Sequence, residues 1–400
     1  MSTVNSGPQI IRNGLVLNLD ASYLRSYSPN VMPNPTNIFA WSGTGNNNCT
    51  LSGDSTITRQ YGSIPLKMVM TGTDPYTGTY NNSSWNLAPA ASGQTWTLSF
   101  YAKSSETVTG NCFIFGAPSS GIIVEAPSTS FTVTTSWQRF TFTTTLSNAS
   151  TAFIQMRFGG SSGQVGKTIW WDGVQLERGS SATTFNPYYF GNTVWKDVVG
   201  NNICALVGGP IFDSINKGTI YFDGGTAYCA ISPSNNFAWT PSSIGLNNMT
   251  IDLWLKSSDS AGGQYILSKP WNANGEYNYY LYYNGFFSQI GNQSNAFNFS
   301  TVTTGNWINL VILVSTTQWG AYINGVQNVA LTNHGITNNT PTNGNAGTEL
   351  TLMTLYPYGG GGNAGFSVQG NVASLRIYNR ILSAAEIRQN FQADKSRFGL

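Results

Sequence analysis

Apolar and polar residues alternate with a period of two along much of the chain, as expected of strands that bury one face and expose the other. From Trp96 to Ala102 the pattern sets Trp96, Leu98, Phe100 and Ala102 on one side and hydroxyl-bearing residues opposite, and Phe140-Thr141-Phe142-Thr143 repeats it. Met249 to Lys256 alternates without a fault, with Met249, Ile251, Leu253 and Leu255 facing the core. Trp307 to Val314 is apolar on both faces and reads as a central strand. Asn324-Gly325 then separates two strand-like runs, a strong hairpin signal because both turn positions require positive φ. Near the C-terminus the signal changes: Ser383 and Glu386 form a capping box, Leu382 and Ile387 a hydrophobic staple, and Phe391 continues the apolar face of a short helix. The predicted fold class is all-β with that one helix.

Composition narrows the setting. Charged residues make up 8% of the 400, against about 25% in ordinary soluble domains, so hydroxyls and amides must solvate the surface. The net charge is +2 and the lysines and arginines are dispersed, which argues against nucleic acid as a partner. The longest apolar run, Leu310 to Val314, is far too short to span a bilayer, so no membrane insertion is expected. Met1 to Gly7 shows no basic-then-apolar leader. Cys49 and Cys112 fall in one part of the chain, Cys204 and Cys229 in another, so two disulfides are arithmetically possible. Four cysteines in so long a chain make no disulfide scaffold, and synthesis in a reducing cytosol favours free thiols.

Gly14 to Ser22, followed by Ser26-Tyr27, resembles the first strand of a concanavalin A-like lectin/laminin-G-type jelly roll, common in structural proteins of tailed bacteriophages. In that family a Trp-x-Asp segment and a strand ending Phe-Asp-Gly follow closely; here they wait until Trp195-Lys196-Asp197 and Phe222-Asp223-Gly224. The Tyr322-Ile323-Asn324-Gly325 hairpin and the ending through Phe391 to Phe398-Gly399-Leu400 match the family as well. The resemblance implies a host jelly roll made of 1–32 and 189–400, interrupted by an insertion at 33–188 that leaves and re-enters at neighbouring surface points. Within the insertion, Trp96 to Tyr188 resembles family 4/9-type carbohydrate-binding modules, which close with an Asp-Gly-Val-Gln-Leu-Glu strand and a Phe-x-Pro-Tyr tail, here 172–177 and 185–188. The expected architecture is therefore two β-sandwiches, one inserted into the other.

The inventory for catalysis is thin. His334 is the only histidine, so no histidine-oriented triad or histidine-based metal centre can form. Some jelly-roll glucanases carry a Glu-x-Asp-x-(x)-Glu array on one strand to aim two carboxylates at a cleft. No such array occurs; Glu276 and Glu349 are isolated and Asp252 is followed two residues on by Trp254. No catalytic residue is assigned and the protein is expected not to be an enzyme.

Binding is better supported. Sugars present C–H faces to aromatic rings and hydroxyls to amides, so exposed Trp or Tyr beside Asn marks a lectin-type site. The segment from Trp271 to Asn284 is dense in both, with Trp271, Asn274, Tyr280 and Tyr282 as candidates. Alternation sets Tyr280 and Tyr282 on one face and Tyr277, Tyr279, Leu281 and Tyr283 on the other, one set for the core and one available; packing of every ring against neighbouring strands is the competing reading. Tyr356 and Tyr358 precede a glycine run, and Tyr76, Tyr80 and Trp85 lie in polar stretches of the insertion. The carbohydrate-binding-module resemblance implies a structural calcium with Asp172 as a ligand, although Gly173 stands where such patterns often have a second acid. Asp20 and Asp223 match host motifs but fit turn caps equally well.

The expected function is that of a virion surface protein, an adhesion module of a tail fibre or appendage binding a host cell-surface glycan. A capsid decoration protein contacting other virion proteins through its sandwiches is the alternative, and a polysaccharide depolymerase a third. A homo-oligomer is expected, since many copies make weak sites useful. Localisation on the virion, after synthesis in the host cytoplasm, goes with all three.

Overall fold

The structure is a computed structural model, which describes residues 8–23, 26–27, 31–32, 46–58, 64–79, 86–185, 194–200, 202–213, 215–231, 237–239, 246–258, 264–270, 277–290, 293–300, 303–337, 349–355 and 367–400. Among the described residues the protein is all-β apart from the helix Ala384–Asp394 and short 3₁₀ turns. It divides into two compact units, one made of Met1–Tyr27 with Thr193–Leu400 and the other of Ser28–Asn192.

In the first unit two eight-stranded sheets enclose one core. One sheet runs Ile211–Asp213, Thr219–Asp223, Gln369–Tyr378, Met249–Ser257, Trp307–Val314, Gln318–Ile323 and Val326–Asn333, and the strand Leu15–Asp20 also pairs with Gln369–Tyr378. Leu17 faces Ile377 and Leu19 faces Leu375 in this antiparallel register. Leu17, Leu19 and Phe222 are wholly buried in the same core cluster. Trp307–Val314 is central, and the turn after Gln318–Ile323 is the two-residue kind, with Asn324 at φ 50° and Gly325 at φ 74°. The second sheet runs Val194–Lys196, Ile203–Val207, Tyr228–Ile231, Leu350–Leu352, Tyr265–Pro270, Tyr277–Tyr282, Gly285–Ile290 and Gln293–Asn298.

The Trp195 to Asp197 motif has a local task. Asp197 Oδ1 accepts from the Asn18 and Val199 main-chain amides at 2.9 and 3.0 Å, and Oδ2 accepts from Asn202 Nδ2 at 2.7 Å. This carboxylate ties the first strand to a segment 179 residues later. Cys204 and Cys229, on adjacent antiparallel strands with Cα atoms 5.8 Å apart, are joined in a disulfide. That corrects the expectation of free thiols for this pair, because lateral strand pairing, invisible in the sequence spacing, brings the two side chains together. Cys49 and Cys112 are free, and burial pushes the Cys112 thiol up to about 12.

The helix Ala384–Asp394 starts at the capping box of Ser383 and Glu386, and Leu382 and Ile387 are both buried. It lies over the outer face of the first sheet, where Trp254 stacks between Phe391 and Phe398, ring centroids 5.7 and 4.2 Å away. This covering explains why Met249–Ser257 is buried on both faces although its pattern alternates.

In the second unit a five-stranded sheet, Gln138–Thr145, Thr95–Ser104, Thr168–Arg178, Leu66–Met70 and Cys49–Gly53, faces a six-stranded one. The latter runs Asn46–Asn47, Tyr76–Thr79, Phe153–Gly160, Val108–Ala117 and Ser128–Val133, with Ala88–Pro89 beside Phe153–Gly160. Trp96, Leu98, Phe100 and Ala102 all point into the core, where Phe100 meets Phe131, Phe140, Phe158 and Trp171 at 4.8 to 5.7 Å. The opposite face is not solvated at every hydroxyl: Thr97 and Ser99 are buried too. Glu177 accounts for part of that cover. It accepts from Gln175 Nε2, from Thr183 N and from Thr183 Oγ1, all at 2.8 Å, so the Asp-Gly-Val-Gln-Leu-Glu strand pins the segment after it.

Candidate carbohydrate-binding face

Strand Tyr277–Tyr282 divides as alternation predicts. Tyr279, Leu281 and Tyr283 are buried, while Tyr280 and Tyr282 are half-exposed on the outer face. Tyr279 Oη donates to Phe237 O at 2.9 Å, and Asn278 grips the Trp239 main chain through both ends of its amide, at 2.6 and 2.7 Å. The strand carrying the candidate rings is thus anchored by the segment 237–239.

On the outer face, pairing gathers two further aromatics that the sequence reading did not single out. Phe287 lies directly opposite Tyr280, the rings stacked with centroids 4.6 Å apart and 16° between planes. Tyr265 meets Tyr280 edge-on at 5.0 Å, and Tyr282 is 5.9 Å from Tyr280. Tyr282 Oη donates to Asn298 Oδ1 at 3.2 Å, placing an exposed amide at the margin. Burial raises the Tyr265 and Tyr282 phenols above their ordinary value, so both stay protonated donors at neutral pH. Only register could have exposed this quartet, since Tyr265 and Phe287 carry no motif. Trp271, Asn274, Tyr356, Tyr358, Tyr80 and Trp85 lie outside the described residues.

In the second unit, Tyr76 falls on the outer face of the six-stranded sheet with Phe113, and the Arg157 guanidinium sits 4.5 Å from the Tyr76 ring and 4.0 Å from that of Phe113. Asp172 is buried, and its Oδ1 accepts from the Gly173 amide at 2.8 Å, at a bulge where Gly173 takes φ 55°. No group of three or more His, Cys, Asp or Glu side chains placed to hold a metal ion occurs among the described residues.

Acidic residues do converge in the first unit, around arginine. Arg376, wholly buried, has Asp20 at 3.6 Å, Asp252 at 3.8 Å and Asp394 at 2.7 Å, and Arg397 lies 3.0 Å from Asp20. Asp252 also accepts from Asn309 and Asn390 at 2.7 and 2.9 Å. Burial works to raise the Asp20 carboxyl, but Arg397 and Arg376 outweigh it and hold it below the usual range. Burial dominates at Asp252 and raises it. A cleft of about 360 Å³ reaches Asp20, Arg376 and Asp394, with Arg12, Asn18 and Tyr23 among its walls. The carboxylates are held by guanidinium and amide groups in an internal ion network. Asp223 caps its turn, accepting from the Gly225 and Ala227 amides at 2.9 and 3.2 Å.

No curated protein matches the chain by sequence. Among solved structures it is similar to the enzymatically active domain of bacteriophage CBA120 tailspike protein 4, at 13% identity and TM-score 0.30 over 38% of this chain and 22% of that one. It is similar to the binding domain of botulinum neurotoxin serotype D, at 14% identity and TM-score 0.37 over 49% and 47%. Domain 4 of an extracellular arabinanase from Geobacillus stearothermophilus, in complex with arabinotriose, matches at 13% identity and TM-score 0.34 over 48% and 91%. The chain thus spans less than half of the first two. Residues 218–388 match the family model of the concanavalin A-like lectin/glucanases superfamily. The chain carries a concanavalin A-like lectin/glucanase domain within its first unit.

Proposed function

We propose that the protein is a non-enzymatic, glycan-binding surface component of a tailed-phage virion, serving adhesion to a host cell-surface glycan, with the second unit a carbohydrate-binding-module-like insertion. The observation that carries the binding is the aromatic quartet of Tyr265, Tyr280, Tyr282 and Phe287 beside Asn298. Fixed, half-exposed rings stack on the C–H face of a sugar, and a neighbouring amide takes its hydroxyls. The virion setting is supported by the sequence resemblance and by a chain in which only 8% of residues are charged. Binding to an array of neutral glycans by the protein displayed multivalently tests the reading, with Tyr280→Ala and Tyr282→Ala expected to abolish it. Array binding indifferent to both substitutions would count against this face.

One observation favours subunit contact as a second reading. The edge strand Val326–Asn333 has no charged residue, exposes Val326 and Leu331, and pairs only with Gln318–Ile323 among the described residues. Such an edge is a template for another strand, as capsid decoration or a homo-oligomer requires. Copy number per particle separates the readings: capsid symmetry supports decoration, a few copies an appendage.

A further inference from the structure

We propose that the outer face of the five-stranded sheet in the second unit binds an acidic polysaccharide, a sugar chain bearing carboxylates. Trp170 pairs directly with Lys67 on one side and with Lys103 on the other. Leu66, Met68, Ala102 and Trp171 are buried in the core, so alternation turns Lys67, Trp170 and Lys103 to the opposite face. The two ammonium groups stand 6.0 and 5.7 Å from the Trp170 ring centroid. Because Gln138 pairs with Ala102, Trp137 falls at the level of Lys103, and one row crosses the sheet in the order Trp137, Lys103, Trp170, Lys67.

Both indoles are held in place by one stretch of chain. Trp170 Nε1 donates to Asp54 Oδ2 at 2.9 Å, and Trp137 Nε1 donates to Thr58 O at 2.7 Å. Asp54 is itself fixed by the Thr56 amide and hydroxyl at 3.0 and 2.6 Å. Lys67 has Asp54 as a partner at 3.8 Å, whereas Lys103 is in no ion pair among the described residues. The row therefore carries one positive charge in excess, in a chain where charge is scarce. Two ammonium groups flanking one strand gain nothing from each other; the carboxylate of a sugar stacked beside them supplies the missing counter-charge. Half-exposed indoles supply the stacking surface, the lysines the charge-assisted contacts. This deepens the carbohydrate-binding reading but uses another unit and another chemistry.

The test is calorimetric titration of the full chain with a polygalacturonate oligosaccharide and with the same oligosaccharide after carboxyl reduction. The acidic form is expected to bind and the reduced form to lose about tenfold or more. Lys103→Gln should cost a similar factor, Lys103→Arg should restore it, and salt raised from about 0.1 M to about 1 M should weaken binding as screening shortens from about 10 Å to about 3 Å. Equal binding of both oligosaccharides, no binding of either, or an affinity that Lys103→Gln leaves unchanged would overturn the proposal and assign the row to sheet stability alone. Tyr280→Ala is the companion control: it should leave polygalacturonate binding intact, so loss of the tyrosine face and loss of the lysine row are read separately.

Discussion

Arg397 Nη1 lies 3.0 Å from Asp20 Oδ1, linking residues 377 positions apart. Arg397 also donates to the Asn216 and Gly218 carbonyls, and Asp20 to Ser22 contacts complete the knot. The C-terminal turn thereby fastens the strand that begins the first unit. Asp20→Asn removes the anion shared by Arg397 and Arg376 and is expected to destabilise that unit by about 3 kcal/mol, the scale of breaking a buried pair from one side. Urea unfolding followed by tryptophan fluorescence measures it; a midpoint equal to the parent's would show the knot to be dispensable.

The Phe100 ring stands at the centre of the second unit's aromatic core, 1% exposed. Phe100→Ala should cost about 3–5 kcal/mol through lost burial and the cavity left behind. Calorimetric melting of the variant should show one transition lowered, that of the second unit.

Glu386 governs part of the acid response. Hydrogen bonds from Arg380 at 2.6 and 2.9 Å, with the Ser383 amide and hydroxyl, hold its carboxyl down to about 2 from 4.5. A depressed carboxyl contributes stability that is complete above its unfolded value and lost as pH falls through the folded one. The contribution should therefore persist at pH 5 and vanish between about pH 4.5 and about 2. Glu386→Gln should flatten the stability profile in that window while costing about 1 kcal/mol at neutral pH through the weakened cap.

His334 acts over a higher window. Burial lowers it from 6.5, its Nε2 faces Ser315 O at 3.2 Å and its Nδ1 accepts from the Ile336 amide at 3.1 Å. The neutral ring is the one that fits, so its contribution is present above pH 6.5 and declines as pH falls through the lowered value. Chemical-shift titration of this single imidazole follows it, with a midpoint below 6.5 expected.

Thiol counting tests the disulfide. Under denaturing conditions the chain should present two reactive thiols, Cys49 and Cys112, before reduction and four after it. Four before reduction would place Cys204 and Cys229 in the thiol state. Chelation tests the calcium that the resemblance implies at Asp172: a melting temperature lowered by EDTA and restored by calcium would support the metal, and a melting temperature indifferent to EDTA would count against it.

The sequence by itself determined what local periodicity encodes. Strand faces such as Trp96 to Ala102, the Asn324-Gly325 turn and the Ser383 cap follow from pleat geometry, positive φ and amide satisfaction, each decided within a few residues. The burial of Tyr279 and Tyr283 against the exposure of Tyr280 and Tyr282 was half legible: alternation separates the sets, but only the sheet's place in the sandwich says which faces inward. Tertiary structure alone decided the rest. Phe287 meets Tyr280, Lys67 and Lys103 flank Trp170, and Arg376 gathers three aspartates from far along the chain because strand register and helix packing set lateral neighbours. The code for such neighbours lies in the collective burial of both sheets, not in any residue's own segment.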